Sequence, residues 1–149
     1  MTNPRSTMQI AGHPIHPMLV QFPIAFLIGT LVGDLTYRAT SDQFWATLSY
    51  WLLAAALIMA ALAAVIGLTD FLAEPRIRAV PASWRHMIGN VLAVVLSLFS
   101  FWLRYSDGTA AHPTVLWISI VVVLLLVYTG WQGGELVFQH RVGVSDDKL

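Results

Sequence analysis

His13 and His16, each followed by proline, open the stretch GHPIHPMLVQFPIAF, and a hydrophobic run begins directly behind them. A third histidine, His86, lies in RHMIGN with Asn90 four residues on, so one helix would carry both on one face. Asp70, Glu135 and His140 are further titratable groups beside long apolar runs. Imidazoles and carboxylates together suit zinc, iron or copper, and two imidazoles on one iron hold a haem. His13, His16, His86, Asp70 and Glu135 therefore form the candidate set for a non-haem transition metal. His16 and His86 are the candidate axial ligands of a haem b, with Asn90 beside them and Arg85 to receive propionates. Arg76 and Arg78 stand near enough in sequence to serve as well.

The elements that must position these groups follow from composition. Of 149 residues, 57% are hydrophobic and 11% charged, and the mean hydropathy is +0.70. A soluble domain carries far more charge, so the chain reads as an integral membrane protein. Four apolar runs reach the roughly 20 residues a membrane helix needs, at residues 18–37, 44–69, 84–104 and 113–131. The second is long for a core of about 30 Å and should tilt or project. Short connections make consecutive helices antiparallel, so the expected fold is an all-α, up-down-up-down four-helix bundle in a single domain, residues 1–149. Pro17, Ser83 and Pro113 suit first helical turns, and Pro23 should kink the first helix. Gly29, Gly33, Gly130 and Gly134 have the spacing that lets the first and fourth helices approach closely. No internal repeat is evident.

Charge sets the orientation. An even number of spans puts both termini on one side, together with Arg5, Arg76, Arg78, Arg85, Arg141 and Lys148, against Arg38 and Arg104 on the other. Six against two places the termini in the cytoplasm. The bundle then gathers His13, His16, His86, Asp70, Glu135 and His140 at the cytoplasmic face, and leaves His112 on the opposite one. The first and third helices run parallel on a diagonal of roughly 11–14 Å, a span two imidazoles sharing one iron can bridge.

Each group also has a plainer role. His16 can cap the orphan amides of the first helix, and His13 can sit among headgroups. Asp70 can bind backbone amides or Arg76, Asp34 can pair with Arg38 at i+4, and Glu135 can pair with Arg141. His86 and Asn90 can be a buried hydrogen-bonded pair.

Other classes are poorly served. Equal numbers of acidic and basic residues, 8 each, give no surface for nucleic acid. With no cysteine there is no disulfide, iron–sulphur cluster or thiolate nucleophile. No serine elbow or zinc-protease motif appears, so a stand-alone enzyme is not expected. Transport would need ionisable residues at mid-depth in the second and fourth helices, and these are nearly absent.

The segments GHPIHPMLVQFPI, SWRHMIGN and GWQGGELVFQHRVGV resemble the signature stretches of bacterial predicted membrane proteins grouped as domain of unknown function 2231. The likeness runs from Gly12 to Val144 and carries onto His13, His16, His86, Asn90, Gly133, Gly134, Glu135 and His140. It implies a four-helix module of the bacterial inner membrane and supplies no activity. Relatives joined to iron–sulphur or cytochrome-type domains imply electron-transfer surroundings. Two readings follow: a haem b or metal-binding redox module with a redox partner in the membrane, or a structural accessory subunit without cofactor. The lipid bilayer is a partner in both, and a homo-oligomer is compatible with either.

Overall fold

The computed structural model describes residues 3–106 and 113–144. Two short strands, β1 (Gln9–Ile10) and β2 (His13–Pro14), pair antiparallel with Ile10 opposite His13. Ala11 and Gly12 between them both have positive φ, 49° and 77°, as a two-residue hairpin turn of right-handed strand twist requires. His13 is thus a hairpin residue, where the sequence placed it at the entry of the first helix.

Helices follow in the order α1 (Ile15–Leu19), α2 (Gln21–Thr40), α3 (Gln43–Ala73), α4 (Pro75–Arg78), α5 (Pro81–Ser106) and α6 (Pro113–Phe138). The helix pair α1–α2 (Ile15–Thr40) and the helices α3, α5 and α6 are each long and apolar enough to cross a membrane. The expected spans lie inside them. Each helix projects a few residues beyond its apolar run, and α3, at 31 residues, is the longest.

Pro23 has no N–H for the carbonyl of Leu19 and its ring crowds that oxygen, so the helix breaks there: α1 ends at Leu19 and Val20 forms a turn. Ser41, in the left-handed region at φ 57°, returns its N–H to the Tyr37 carbonyl, and Asp42 accepts from the Phe44 N–H to start α3. Two residues thus join α2 to α3. At the other end Glu74 accepts from the Arg76 N–H and Pro75 takes the first position of α4. The hydrogen bond from the Arg76 side chain holds the Glu74 carboxyl down to about 2, so this cap stays ionised at any physiological pH. Pro81 opens α5, and Ser83 falls within its first turn, as expected.

α2 packs on α3 and α6, and α5 packs on α6 and α3, which leaves α2 and α5 on one diagonal and α3 and α6 on the other. The four-helix bundle expected from the sequence is the one observed. Its core is thin: Leu27, Leu53, Ala56, Ala93, Ile118 and Val122 meet on the axis, while Trp51, Ile58, Val65 and Leu124 stand outward. Bilayer lipid covers that outer surface. Residues 3–4 and 143–144 are joined: the Gly143 N–H donates to the Pro4 carbonyl at 2.8 Å, and Asn3 donates to the Val144 carbonyl at 3.2 Å.

The glycines divide differently from expectation. Gly29 and Gly33 face α3, where a Cβ on Gly33 would strike the Ser49 hydroxyl, rather than the fourth span. A Cβ on Gly130 would meet nothing within 4 Å, and one on Gly134 only Phe138 at 3.9 Å. The close approaches at that end belong to Gly67, Gly89 and Gly133.

Candidate functional site

At the bundle end that holds residues 3–14, the rings of His16 and His86 meet across the α2–α5 diagonal, with centroids 6.3 Å apart and planes at 82°. His16 sits in α1, set off from α2 by the break at Val20, and its Nδ1 lies 2.9 Å from the Ala63 carbonyl of α3. His86 sits in the second turn of α5, and its Nδ1 lies 2.9 Å from the Thr129 carbonyl of α6. A carbonyl only accepts, so each Nδ1 carries a hydrogen and donates it. That leaves Nε2 as the other nitrogen of each ring, and among the described residues neither Nε2 has a hydrogen-bond partner. Both rings lie against a glycine. A Cβ on Gly67 would stand 2.7 Å from Cε1 and Nδ1 of His16, and a Cβ on Gly133 would stand 3.2 Å from Cε1 of His86.

The remaining sequence candidates are not drawn in. His13 is exposed and its Nδ1 donates to the Ala11 carbonyl at 3.0 Å, within its own hairpin. Asp70 is buried but fully engaged: its Oδ1 accepts from the Thr7 N–H, the Thr7 hydroxyl and the Met8 N–H, and its Oδ2 from the Ser6 hydroxyl, at 2.7–3.0 Å. It binds backbone amides, one of the two plainer roles open to it, but those of the N-terminal segment rather than the α3–α5 loop. Glu135 lies 3.8 Å from His140 Nε2 instead of pairing with Arg141. Among the described residues no three His, Asp or Glu side chains converge to hold a metal ion, so the five-residue non-haem set is not assembled. The physical reason is that the hairpin turns His13 outward, while Asp70 and Glu135 find nearer partners.

Asn90 donates to the His86 main-chain carbonyl at 2.8 Å and receives a long 3.5 Å contact from the Thr129 hydroxyl, so it supports the helix and not the ring. Arg85 is exposed, beside His86 in sequence. Arg76 is held by Glu74, and Arg78 donates to the Phe71 and Leu72 carbonyls at the end of α3. Neither arginine is at hand for the site. Two buried polar atoms at this end have no partner among the described residues: Ser83 Oγ, one turn before His86, and Gln132 Oε1, next to Gly133.

A second polar centre stands at the far end of the bundle. Eighteen residues separate His16 from Asp34 and His86 from Arg104, about 27 Å of helix. Arg104 clasps Asp34 with both guanidinium nitrogens, NH1 to Oδ1 at 2.9 Å and NH2 to Oδ2 at 2.7 Å, and neither side chain is more than 2% exposed. The Ser119 hydroxyl donates to Asp34 Oδ2 at 2.6 Å, and Arg104 Nε reaches the Ser100 hydroxyl at 3.4 Å. This replaces the Asp34–Arg38 pair expected from i+4 spacing. The overlooked signal was that Asp34 lies inside an apolar run, where an exposed i+4 pair gains little and a buried partner on another helix is needed. Inward of it a cavity of about 10 Å³ is lined half by hydroxyl side chains, Thr30, Ser97, Ser100 and Ser119, and half by the apolar core residues Leu27, Leu53, Ile118 and Val122, and the Ser97 hydroxyl there has no partner among the described residues. His112 lies outside the described residues.

Neither a curated protein nor a solved structure matches the chain. Four spanning helices, the paired histidines carried by HPIHP and RHMIGN, and a family model that covers residues 12–146 lead to one assignment: the chain belongs to the predicted membrane protein family, domain of unknown function 2231.

Proposed function

We propose that the protein is a redox module of the bacterial inner membrane that holds one haem b between His16 and His86 at the cytoplasmic face. The observation that carries this reading is the pair of imidazoles, each fixed by Nδ1–H donation to a carbonyl and each left with Nε2 as a free donor atom. Carbonyl partners of this kind orient ligating imidazoles and raise their basicity. Two imidazoles that share one metal through bonds of about 2 Å would have ring centroids up to roughly 6 Å apart, and the rings here stand 6.3 Å apart in an edge-on contact. Two imidazole nitrogens would be enough protein ligands for a haem, and too few for a structural zinc held by side chains alone. When bound, haem supplies one-electron chemistry. The chain's part is to orient two ligands and set their basicity through Ala63 and Thr129. Ser83 Oγ and Gln132 Oε1, without partners among the described residues, lie close to His86 and Gly133 in sequence. The six-to-two excess of basic residues at the end of the termini supports the cytoplasmic orientation.

The test is the visible spectrum of the full chain purified in detergent after expression with ample haem. A Soret band with sharp reduced α and β bands, one haem per chain, and loss of both in His16→Ala and His86→Ala is the expected result. A protein that stays folded and colourless under those conditions overturns the reading. The ring pair would then act as a structural lock between helices, the role of an accessory subunit.

A further inference from the structure

We infer that the chain consists of two equivalent helical hairpins closed face to face about a two-fold axis along the bundle, and that Asp34 with Arg104 is the contact that makes unlike halves pair. The inner face of each hairpin is then an interaction surface whose partner is a second hairpin of the same build. This goes beyond the haem reading and stands if that reading fails.

The equivalence is read from burial and hydrogen bonding, since the two halves share few residue types. Moving 70 positions along carries the buried Pro23, Leu27, Thr30 and Asp34 of α2 onto Ala93, Ser97, Ser100 and Arg104, all buried in α5. Moving 66 positions carries the buried Ser49, Leu53, Ala56 and Ala63 of α3 onto Val115, Ser119, Val122 and Thr129, all buried in α6. The outward residues follow the same shifts: Met18, Phe22, Ile28 and Val32 match Ile88, Leu92, Leu98 and Trp102, and Trp51 matches Trp117.

Local chemistry repeats as well. His16 donates to Ala63 O and lies on Gly67, four residues on; His86 donates to Thr129 O and lies on Gly133, four residues on. The same two shifts relate every member of these two sets. Helix packing agrees, because α2 on α3 repeats as α5 on α6, and α2 on α6 repeats as α5 on α3. Both halves run in the same direction, so the axis lies along the helices, and the two histidines meet on it at one end.

At the other end the same axis brings position 34 against position 104. Identical halves would bury two carboxylates or two guanidiniums there, each unpaired in an apolar core. One of each sign satisfies both. A hydroxyl follows the carboxylate: Ser119 donates to Asp34, whereas its equivalent in the first half, beside Arg104 by symmetry, is Leu53. The four-residue step below each charge carries a hydroxyl in both halves, Thr30 and Ser100.

Charge exchange in the full chain tests this. Asp34→Arg and Arg104→Asp alone should each cut the folded fraction at fixed denaturant by about 100-fold. Combining them should recover at least tenfold of that loss. Adding Leu53→Ser to the exchanged chain should recover more, by giving the moved carboxylate its hydroxyl, while the same change in the native chain should destabilise. A double variant no more stable than either single one, or a Leu53→Ser that fails to help it, overturns the inference. Because these variants risk failing to fold, spin-label distances give a second measure at lipid-facing positions. Symmetry maps the pair Met18 and Leu124 onto Ile88 and Ile58, so cysteines at each pair in this cysteine-free chain should give the same distance distribution. Clearly different distributions refute the axis.

Discussion

A methyl group on Gly67 would stand 2.7 Å from the His16 ring, which its hydrogen bond to the Ala63 carbonyl holds in place, and one on Gly133 would stand 3.2 Å from the His86 ring. Each imidazole therefore needs both a carbonyl and a bare Cα on the helix opposite. Gly67→Ala is expected to cost about 1–3 kcal/mol by overpacking, and Gly133→Ala less, because a few tenths of an ångström suffice there. Gly130→Ala should leave stability within about 0.5 kcal/mol, since its Cβ meets nothing. Thermal unfolding in detergent checks all three; equal effects at Gly67 and Gly130 would mean that the His16 ring does not rest on α3. At this scale the sequence was informative about residue type and weak about partners. His16 and His86 stand out because imidazoles are rare beside apolar runs. Gly67 can be read as room for a flat macrocycle, but a glycine between apolar residues reads equally as packing, and the structure rests the His16 ring on it.

Asp70 shows how an element is fixed by a group far from it in sequence. The segment before the first span has little apolar surface to bury, and what orders it is four hydrogen bonds to one carboxylate at the end of α3, together with the link between Pro4 and Gly143. Removing the acceptor as Asp70→Ala leaves the buried Ser6 hydroxyl without it, at about 1–3 kcal/mol, and costs less at the Thr7 and Met8 amides, where water can replace the carboxylate. The bundle has its own core, so the expected result is local: faster proteolysis and hydrogen exchange over residues 5–14 with the spans still protected. Uniform loss of protection across the spans would instead make Asp70 part of the bundle's foundation. The proline signals also act at this scale. Pro23 was legible as a kink because the missing N–H is a covalent fact, and the break falls at Val20 because that donor would have reached Leu19. The β1–β2 hairpin was not legible: two residues per strand give no alternation to read, and Ala11 is not a residue that announces a positive φ.

For the whole molecule, orientation is the first thing to measure. Reporters fused after Leu149 and inserted beside Asp42 should report opposite sides, the first cytoplasmic, from the excess of arginine at the end that holds residues 3–14 and the α3–α5 loop. Two reporters on the same side would contradict an even number of spans. The sequence by itself determined that four helices cross a membrane, in what order, and which ends share a side. Those properties depend on the apolar content of contiguous runs and on short connections, so each is a local quantity. Only the tertiary structure decided which polar groups meet. Asp34 finds Arg104, 70 residues away, and His16 finds His86 across the diagonal, because the rotation of each helix about its axis is set by packing against two neighbours at once. The symmetry of the halves stayed hidden for the same reason: selection for packing keeps the burial of a position and lets its residue type change, so Leu27 and Ser97 occupy equivalent places with nothing in their letters to say so.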